Sequence, residues 1–210
     1  MGKLRIPGFG LRELLAPENR IREIFQNPPT LETERLRLRR LGARDARDLY
    51  EWSSDPEVAR YVLWDAHESI AETRAYLRYM KGLYRRGYPS SWGIEEKESG
   101  KVIGTIGIMA WYPEHGNAEV GYSLGRAWWH RGYAPEALER VIRLLFDETD
   151  VRRVEAQCDT RNLNSARVME KCGMRREGIL RGRICNKGER VDVMMYARLR
   201  EDPEPERSGR

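Results

Sequence analysis

A glycine lodged between an aromatic run and a helix is the feature of this chain best placed to do chemistry. Trp128-Trp129-His130-Arg131-Gly132-Tyr133-Ala134-Pro135-Glu136 leads out of an alternating segment into one of three-four apolar spacing. A strand feeding such a turn aims several unpaired backbone amides at one point, and the helix dipole adds positive character there. That geometry suits a phosphate or pyrophosphate. Pro135 and Glu136 are both favoured in a first helical turn. The same residues fit an ordinary strand-to-helix connection in which Gly132 serves only the backbone, and the turn alone leaves both readings open. Upstream, Glu119 shares a strand face with Gly121 and Ser123, while Val120, Tyr122 and Leu124 share the other. Downstream, Asn162-Leu163-Asn164-Ser165 opens a second helix with residues suited to capping it.

The elements that must position these residues follow from periodicity. Leu36 and Leu38 alternate with Arg37 and Arg39 as in a half-exposed strand, and Ala43 to Trp52 reads as a helix. Asp55-Pro56 starts a short helical turn, and Ser69-Ile70-Ala71-Glu72 reads as a capping box opening a long helix that ends near Gly87. Strands are expected at 91–96 and 102–111, the second apolar on both faces as a central strand would be. Ala134, Ala137, Leu138, Val141, Ile142 and Leu145 form the core face of the helix after Gly132, and a strand follows from Arg153 to Asp159. Strand, helix, strand in that order is a parallel crossover unit. Val168, Met169 and Cys172 lie on the next helix, which Gly173 ends. Strands at about 174–183 and 190–199 then turn at Lys187-Gly188-Glu189.

Composition excludes several classes. The 210 residues suffice for one well-buried domain, and 40% hydrophobic with 34% charged residues describes a soluble globular chain. No apolar run approaches the roughly 20 residues of a spanning helix, and the first ten residues lack a signal-peptide core, so neither membrane nor export is expected. Cys158, Cys172 and Cys185 lack Cys-x-x-Cys spacing and the three histidines are scattered, which fits reduced thiols in a cytoplasm and no metal. A net charge of +5 is spread along the chain and demands no nucleic acid; no DNA partner is expected. Residues 1–30 read as a helical extension, with apolar positions from Leu11 to Phe25 closed by Pro28-Pro29, packing on the domain or on a twin subunit. Residues 201–210 read as a disordered tail.

Two segments taken together carry a family resemblance. Trp128 to Ala137 resembles the acetyl-CoA pyrophosphate loop of the GNAT N-acetyltransferases in their Rim (ribosomal-protein N-terminal acetyltransferase) form, and Asn162 to Met174 resembles the motif that follows it there. Leu31-Glu32-Thr33-Glu34-Arg35-Leu36-Arg37-Leu38-Arg39 and Asp55-Pro56 look like that family's amino-terminal half, so the resemblance covers about residues 31–200 in the correct order. Departures are Trp129 where the general pattern has Gln or Arg, His130 where relatives carry Gly, and Cys172 and Met174 in place of Leu and Phe. Cys172 is read as a core residue rather than a nucleophile.

The resemblance implies an α+β (mixed α/β) GNAT-like fold: a central twisted mixed sheet of about seven strands flanked by helices, with a splayed parallel strand pair forming the acetyl-CoA cleft. It implies an acetyl-CoA-dependent enzyme acetylating a primary amine, foremost a protein N-terminus (possibly ribosomal), with a small amine such as an aminoglycoside or polyamine as the alternative. A non-catalytic acyl-CoA-binding module is the remaining reading. The expected site follows residue by residue. Amides from Arg131, Gly132, Tyr133, Ala134 and Pro135 to Glu136 take the pyrophosphate, and Arg126, Arg131 or Arg167 could add cationic contacts. Backbone near Ser123 and Leu124 pairs with the pantetheine arm beside a bulge in that strand, and Asn162 contacts the cofactor while Asn164 caps. Glu119 is the general base and Ser165 the hydroxyl near the departing sulfur. Tyr61 and Trp64 are expected to wall the acceptor site, with Asp65 and Glu68 near enough to attract an amine; the assembly is expected to be a monomer or homodimer.

Overall fold

Leu36 and Leu38 point inward from a short strand, and what they meet there is the sheet that organises the whole chain. The structure, a computed structural model, describes residues 22–205. Its strands are β1 (Leu31–Glu32), β2 (Leu36–Arg39), β3 (Ser91–Glu96), β4 (Val102–Tyr112), β5 (Asn117–Leu124), β6 (Arg153–Asp159), β7 (Arg175–Asn186) and β8 (Glu189–Leu199). The helices are α1 (Ala46–Ser53), α2 (Pro56–Ala59), α3 (Ile70–Arg86), α4 (Tyr133–Glu148) and α5 (Leu163–Lys171). All eight strands form one sheet in the order β1-β2-β3-β4-β5-β6-β8-β7. That is one more than the expected seven or so, because the two-residue β1 folds back on β2.

The sheet is antiparallel except where β5 meets β6, and that parallel pairing lasts only from Asn117 opposite Arg153 to Glu119 opposite Glu155. Beyond Glu119 the two strands part. The crossover between them is α4, whose inner face of Ala137, Leu138, Val141, Ile142 and Leu145 is fully buried. Truncating any of the larger ones to Ala would cost about 2–5 kcal/mol. α1 and α3 form a second core on the other face around Leu49, Trp52, Leu77, Met80 and Tyr84.

A bulge sits close to the parting point, but not in the strand where it was expected. β5 runs regularly, and the extra residue is Met109 of β4, between the pairs Ile108–Val120 and Ala110–Glu119. A Cβ at Gly121 would come within 2.8 Å of the Met109 Cγ, so Met109 lies close against β5 at that glycine.

Other local expectations fare unevenly. The hairpin at Lys187-Gly188 forms with both residues at positive φ, +49° and +84°, as a two-residue turn that matches strand twist requires. The capping box at Ser69 does not form: the Ser69 side chain makes no cap bond, and Glu72 accepts instead from the Glu68 amide at 3.1 Å. Residues 22–26 are helical and bury Ile24 and Phe25, with the Phe25 ring 5.4 Å from Trp92. The end of the extension therefore packs on its own domain; the rest of it, residues 1–21, lies outside the described residues. Residues 201–205 also lie against the body, where Glu204 pairs with Arg143 at 3.2 Å, while 206–210 fall outside the description. Among the described residues no helix is long and apolar enough to cross a membrane.

Candidate active site

The turn before α4 takes the shape its glycine suggested. Gly132 is the N-cap in the left-handed region, φ +81° and ψ +3°, and His130 two residues earlier is also left-handed at φ +60°. His130 thus occupies a conformation that favours glycine, at a cost of about 1–2 kcal/mol. The amides of Arg131, Gly132, Tyr133 and Ala134 have no acceptor among the described residues. Glu136 is different: its amide already bonds the Gly132 carbonyl at 3.2 Å, and Pro135 has no N–H. Of the expected run from Arg131 to Glu136, the amides free to take an anion are those from Arg131 to Ala134.

Two carboxylates stand close behind this turn, and both are saturated with donors. Glu136 accepts from Thr33 Oγ1 at 2.6 Å, the Arg35 amide at 2.9 Å and Arg35 Nε at 2.8 Å. Burial works to raise its carboxyl, but these bonds outweigh it and hold the group below the usual glutamate range. Its side chain thus ties α4 to the β1–β2 corner rather than reaching a ligand. Glu96, which sequence reasoning passed over, accepts from Tyr133 Oη at 2.5 Å, Ser99 Oγ at 2.7 Å and Trp128 Nε1 at 3.3 Å. Burial again works upward and the three donors win, leaving it low. Tyr133 is accordingly a buried anchor, its ring covered by Arg35 at 4.4 Å. Arg35 also donates to the Arg131 carbonyl at 2.9 Å. Arg126 pairs with Asp55 at 2.8 Å, whereas Arg131 and Arg167 are exposed.

From the turn, the parting of β5 and β6 opens into a cavity of about 540 Å³. Glu119, Ser123, Asn162, Ser165, Tyr61 and Trp64 all line it, so the sequence-predicted side chains converge on one space. Leu124 does not: its side chain is buried and its carbonyl accepts from Trp129 Nε1 at 2.7 Å, while beyond Glu119 the backbone of β5 has no strand partner on the β6 side. Asn162 Oδ1 accepts from the Ser165 amide at 3.2 Å, which makes Asn162 the helix cap in place of Asn164. Asp65 is 88% exposed and, like Glu68, lies away from the cavity.

At the parting point Glu119 is half-buried and accepts from Gln157 Nε2 at 2.7 Å. Farther along, Ser165 Oγ lies 2.9 Å from Tyr122 Oη, which also donates to the Ser165 carbonyl at 3.0 Å. Burial raises the Tyr122 hydroxyl well above the ordinary phenol range and pushes the neighbouring Cys158 thiol up to about 11, so both keep their protons at neutral pH. Tyr122 had been assigned only to an apolar face; a tyrosine on a buried face needs a hydroxyl partner, and that rule could have flagged it. Gln157 carried no signal at all. Trp52, Tyr76 and Tyr79 also line the cavity beyond the expected Tyr61 and Trp64. Trp64 packs edge-on to Trp52 at 6.3 Å. Among the described residues no cluster of three or more His, Cys, Asp or Glu could hold a metal.

Residues 35–175 match the model of the acetyltransferase (GNAT) domain. The chain belongs to the GNAT acetyltransferases. The uncharacterized N-acetyltransferase p20 of Bacillus licheniformis is 34% identical over 173 residues, 82% of this chain and 97% of its own length. The ribosomal-protein-serine acetyltransferase of Escherichia coli (strain K12) is 27% identical over 132 residues, 63% of this chain and 73% of its own. Among solved structures, a GNAT-family acetyltransferase from Bacillus anthracis superposes with a TM-score of 0.74 at 28% identity, covering 83% of this chain and 100% of that one. The protein is thus an acetyltransferase with acetyl-CoA as its co-substrate. The residues present fit that donor: amides at Gly132–Ala134 for phosphate, an open edge at 120–123 for an extended arm, and a cavity beyond it.

Proposed function

We propose that this GNAT enzyme acetylates the N-terminal α-amine of a protein, with ribosomal proteins the first candidates, by direct attack within a ternary complex. The observation that carries the reading is the place of Glu119: a carboxylate at the point where β5 and β6 part, fixed by Gln157, on the wall of the cavity that Ser165 also lines. A protein α-amine has a reference pKa of about 7.7–8.0, against about 10.4 for lysine, so one carboxylate acting through water suffices to take its proton near neutral pH. The freed nitrogen lone pair forms the new N–C bond as the C–S bond breaks. Unpaired backbone amides at the open edge of β5 stabilise negative charge developing on the carbonyl oxygen. The proton that the nitrogen sheds on becoming an amide reaches the departing sulfur through Ser165 Oγ, in contact with Tyr122 Oη, so the serine regains a proton as it gives one up. The ribosomal relative named above supports the acceptor class, and two buried free thiols, Cys158 and Cys172, support a cytoplasmic setting.

The test is release of free CoA thiol with a panel of N-terminal peptides, an aminoglycoside and a polyamine. Peptides are expected to lead. Turnover of a small polyamine above every peptide would move the acceptor class, and tight CoA binding without turnover of any amine would overturn the enzyme reading.

A further inference from the structure

The acceptor half of the cavity is unusual in what it lacks. Among the described residues, no lysine or arginine lines it, and its only carboxylates are Glu119 and Asp159. Asp159 is spent: its side chain is 3% exposed, and Arg161 supplies donors to both oxygens at 2.7–2.9 Å, holding the carboxyl below its ordinary range. His67 faces the same space with Nδ1 shared between Ser53 Oγ at 2.9 Å and Thr73 Oγ1 at 2.8 Å, and burial lowers its affinity for a proton. Glu119 is thus the single carboxylate left for an incoming ammonium.

Much of the rest of that half is apolar. Trp64, Tyr76, Met80 and Leu83 come from the helical side, and Ile184 and Val193 from the β7–β8 hairpin. The hairpin is anchored across the space, where Lys187 Nζ donates to the Ala59 carbonyl at 2.6 Å. Three oxygens of lining residues have no hydrogen-bond partner among the described residues: Ser90 Oγ, Gln157 Oε1 and Asn186 Oδ1. The Gln157 amide is oriented by its bond to Glu119, and its oxygen is buried without a partner among the described residues. An uncompensated second charge in such a space would lose its hydration with nothing to replace it, whereas a bulky apolar group gains by leaving water.

We infer that the acceptor subsite takes a primary amine carrying a large, uncharged apolar group next to it. For a protein N-terminus this means a first residue such as Met, Leu or Phe, in preference to Ser, Ala or any polycation. The inference rests on the N-terminal reading above and narrows it. Glu119 receives the amine hydrogens, and the Trp64–Tyr76–Met80 wall receives the side chain.

The experiment compares kcat/KM for acetyl-CoA-dependent thiol release on peptides identical except for a first residue of Met, Leu, Phe, Ala or Ser, with phenethylamine and spermidine alongside. At least a tenfold advantage of Met, Leu and Phe over Ala and Ser is expected, since each methylene a pocket accepts can discriminate by about tenfold or more. Equal or better turnover of the Ser and Ala peptides would overturn the inference and leave N-terminal acetylation standing. Phenethylamine outrunning every peptide would keep the subsite chemistry and overturn the protein acceptor; spermidine in the lead would overturn both. The variant Ile184→Glu, at a half-buried position of an exposed-edge strand, places a second carboxylate on the wall. It should lower kcat/KM for the Phe peptide about tenfold and raise that for spermidine; an unchanged preference would show that this wall does not select.

Discussion

The two ends of the cleft are built on opposite plans. At the α4 end the side chains are spoken for: Glu96 and Glu136 each hold three donors, Tyr133 is a buried strut, and backbone amides are left to meet the ligand. At the proposed acceptor end side chains line the space, and three of their oxygens are buried without a partner among the described residues. On the proposed reading one end recognises a group common to every reaction the enzyme performs, so main-chain atoms suffice and side chains serve to fix them. The other must discriminate among amines, which only side chains can do. A substitution at the first end should act on donor affinity and stability, and one at the second on turnover and choice of acceptor.

The strongest test of that division is Glu119→Gln. It should lower kcat/KM for a peptide acceptor by about 10² or more near neutral pH while leaving CoA affinity unchanged, as stopped-flow or steady-state thiol release and a CoA titration would reveal. Equal losses in both would erase the distinction. Next, Ser165→Ala should lower kcat by about tenfold with little change in either KM, if a proton delivered to sulfur is all it provides. Tyr122→Phe, read in the same assay, separates the hydroxyl relay from Ser165 itself.

At the other end Glu136→Gln should spare kcat, raise KM for acetyl-CoA several-fold, and cost about 1.5–3 kcal/mol in a denaturant melt, since a hydrogen bond to a charged group contributes that much. The pH dependence carries the same signature. Glu136 and Glu96 titrate lower in the folded protein than in the unfolded chain, so their contribution is complete above the ordinary glutamate value of about 4.3. It is lost as pH falls below that value through their depressed folded pKa, and Glu136→Gln should flatten this acid limb. The smallest effect belongs to His130→Gly. Relief of a left-handed side chain is offset by a more flexible unfolded chain, so stability should move by no more than about 1 kcal/mol and acetyl-CoA KM should hold.

Most of the frame was legible because its signals are local. The alternation of Leu36 and Leu38, the three-four spacing from Ala134 to Leu145 and the Gly132 turn each depend on neighbours in sequence, and each formed as read. What escaped depended on partners far along the chain. Glu136 reads in sequence only as a favoured first-turn residue, but its side-chain partners are Thr33 and Arg35, 101–103 residues away. The bulge moved to Met109 because register is set between strands rather than within one. Asn162 and Asn164 are both caps by residue type, and the start of α5 at Leu163 makes Asn162 the one that caps. Gln157 was unreadable: nothing in an isolated strand says which neighbour its amide will meet.

The three-residue pairing of β5 with β6 has a thermodynamic consequence. A sheet whose two central strands part is a folded state with one strand's worth of hydrogen bonds left unmade, and an extended donor lying in the gap would supply them. Donor binding would then be linked to folding by mass action: at a hundredfold excess over its dissociation constant it would add about 2.7 kcal/mol to the free energy of unfolding. The abundance of the acyl donor would set not only how fast the enzyme works but how long an individual molecule stays folded.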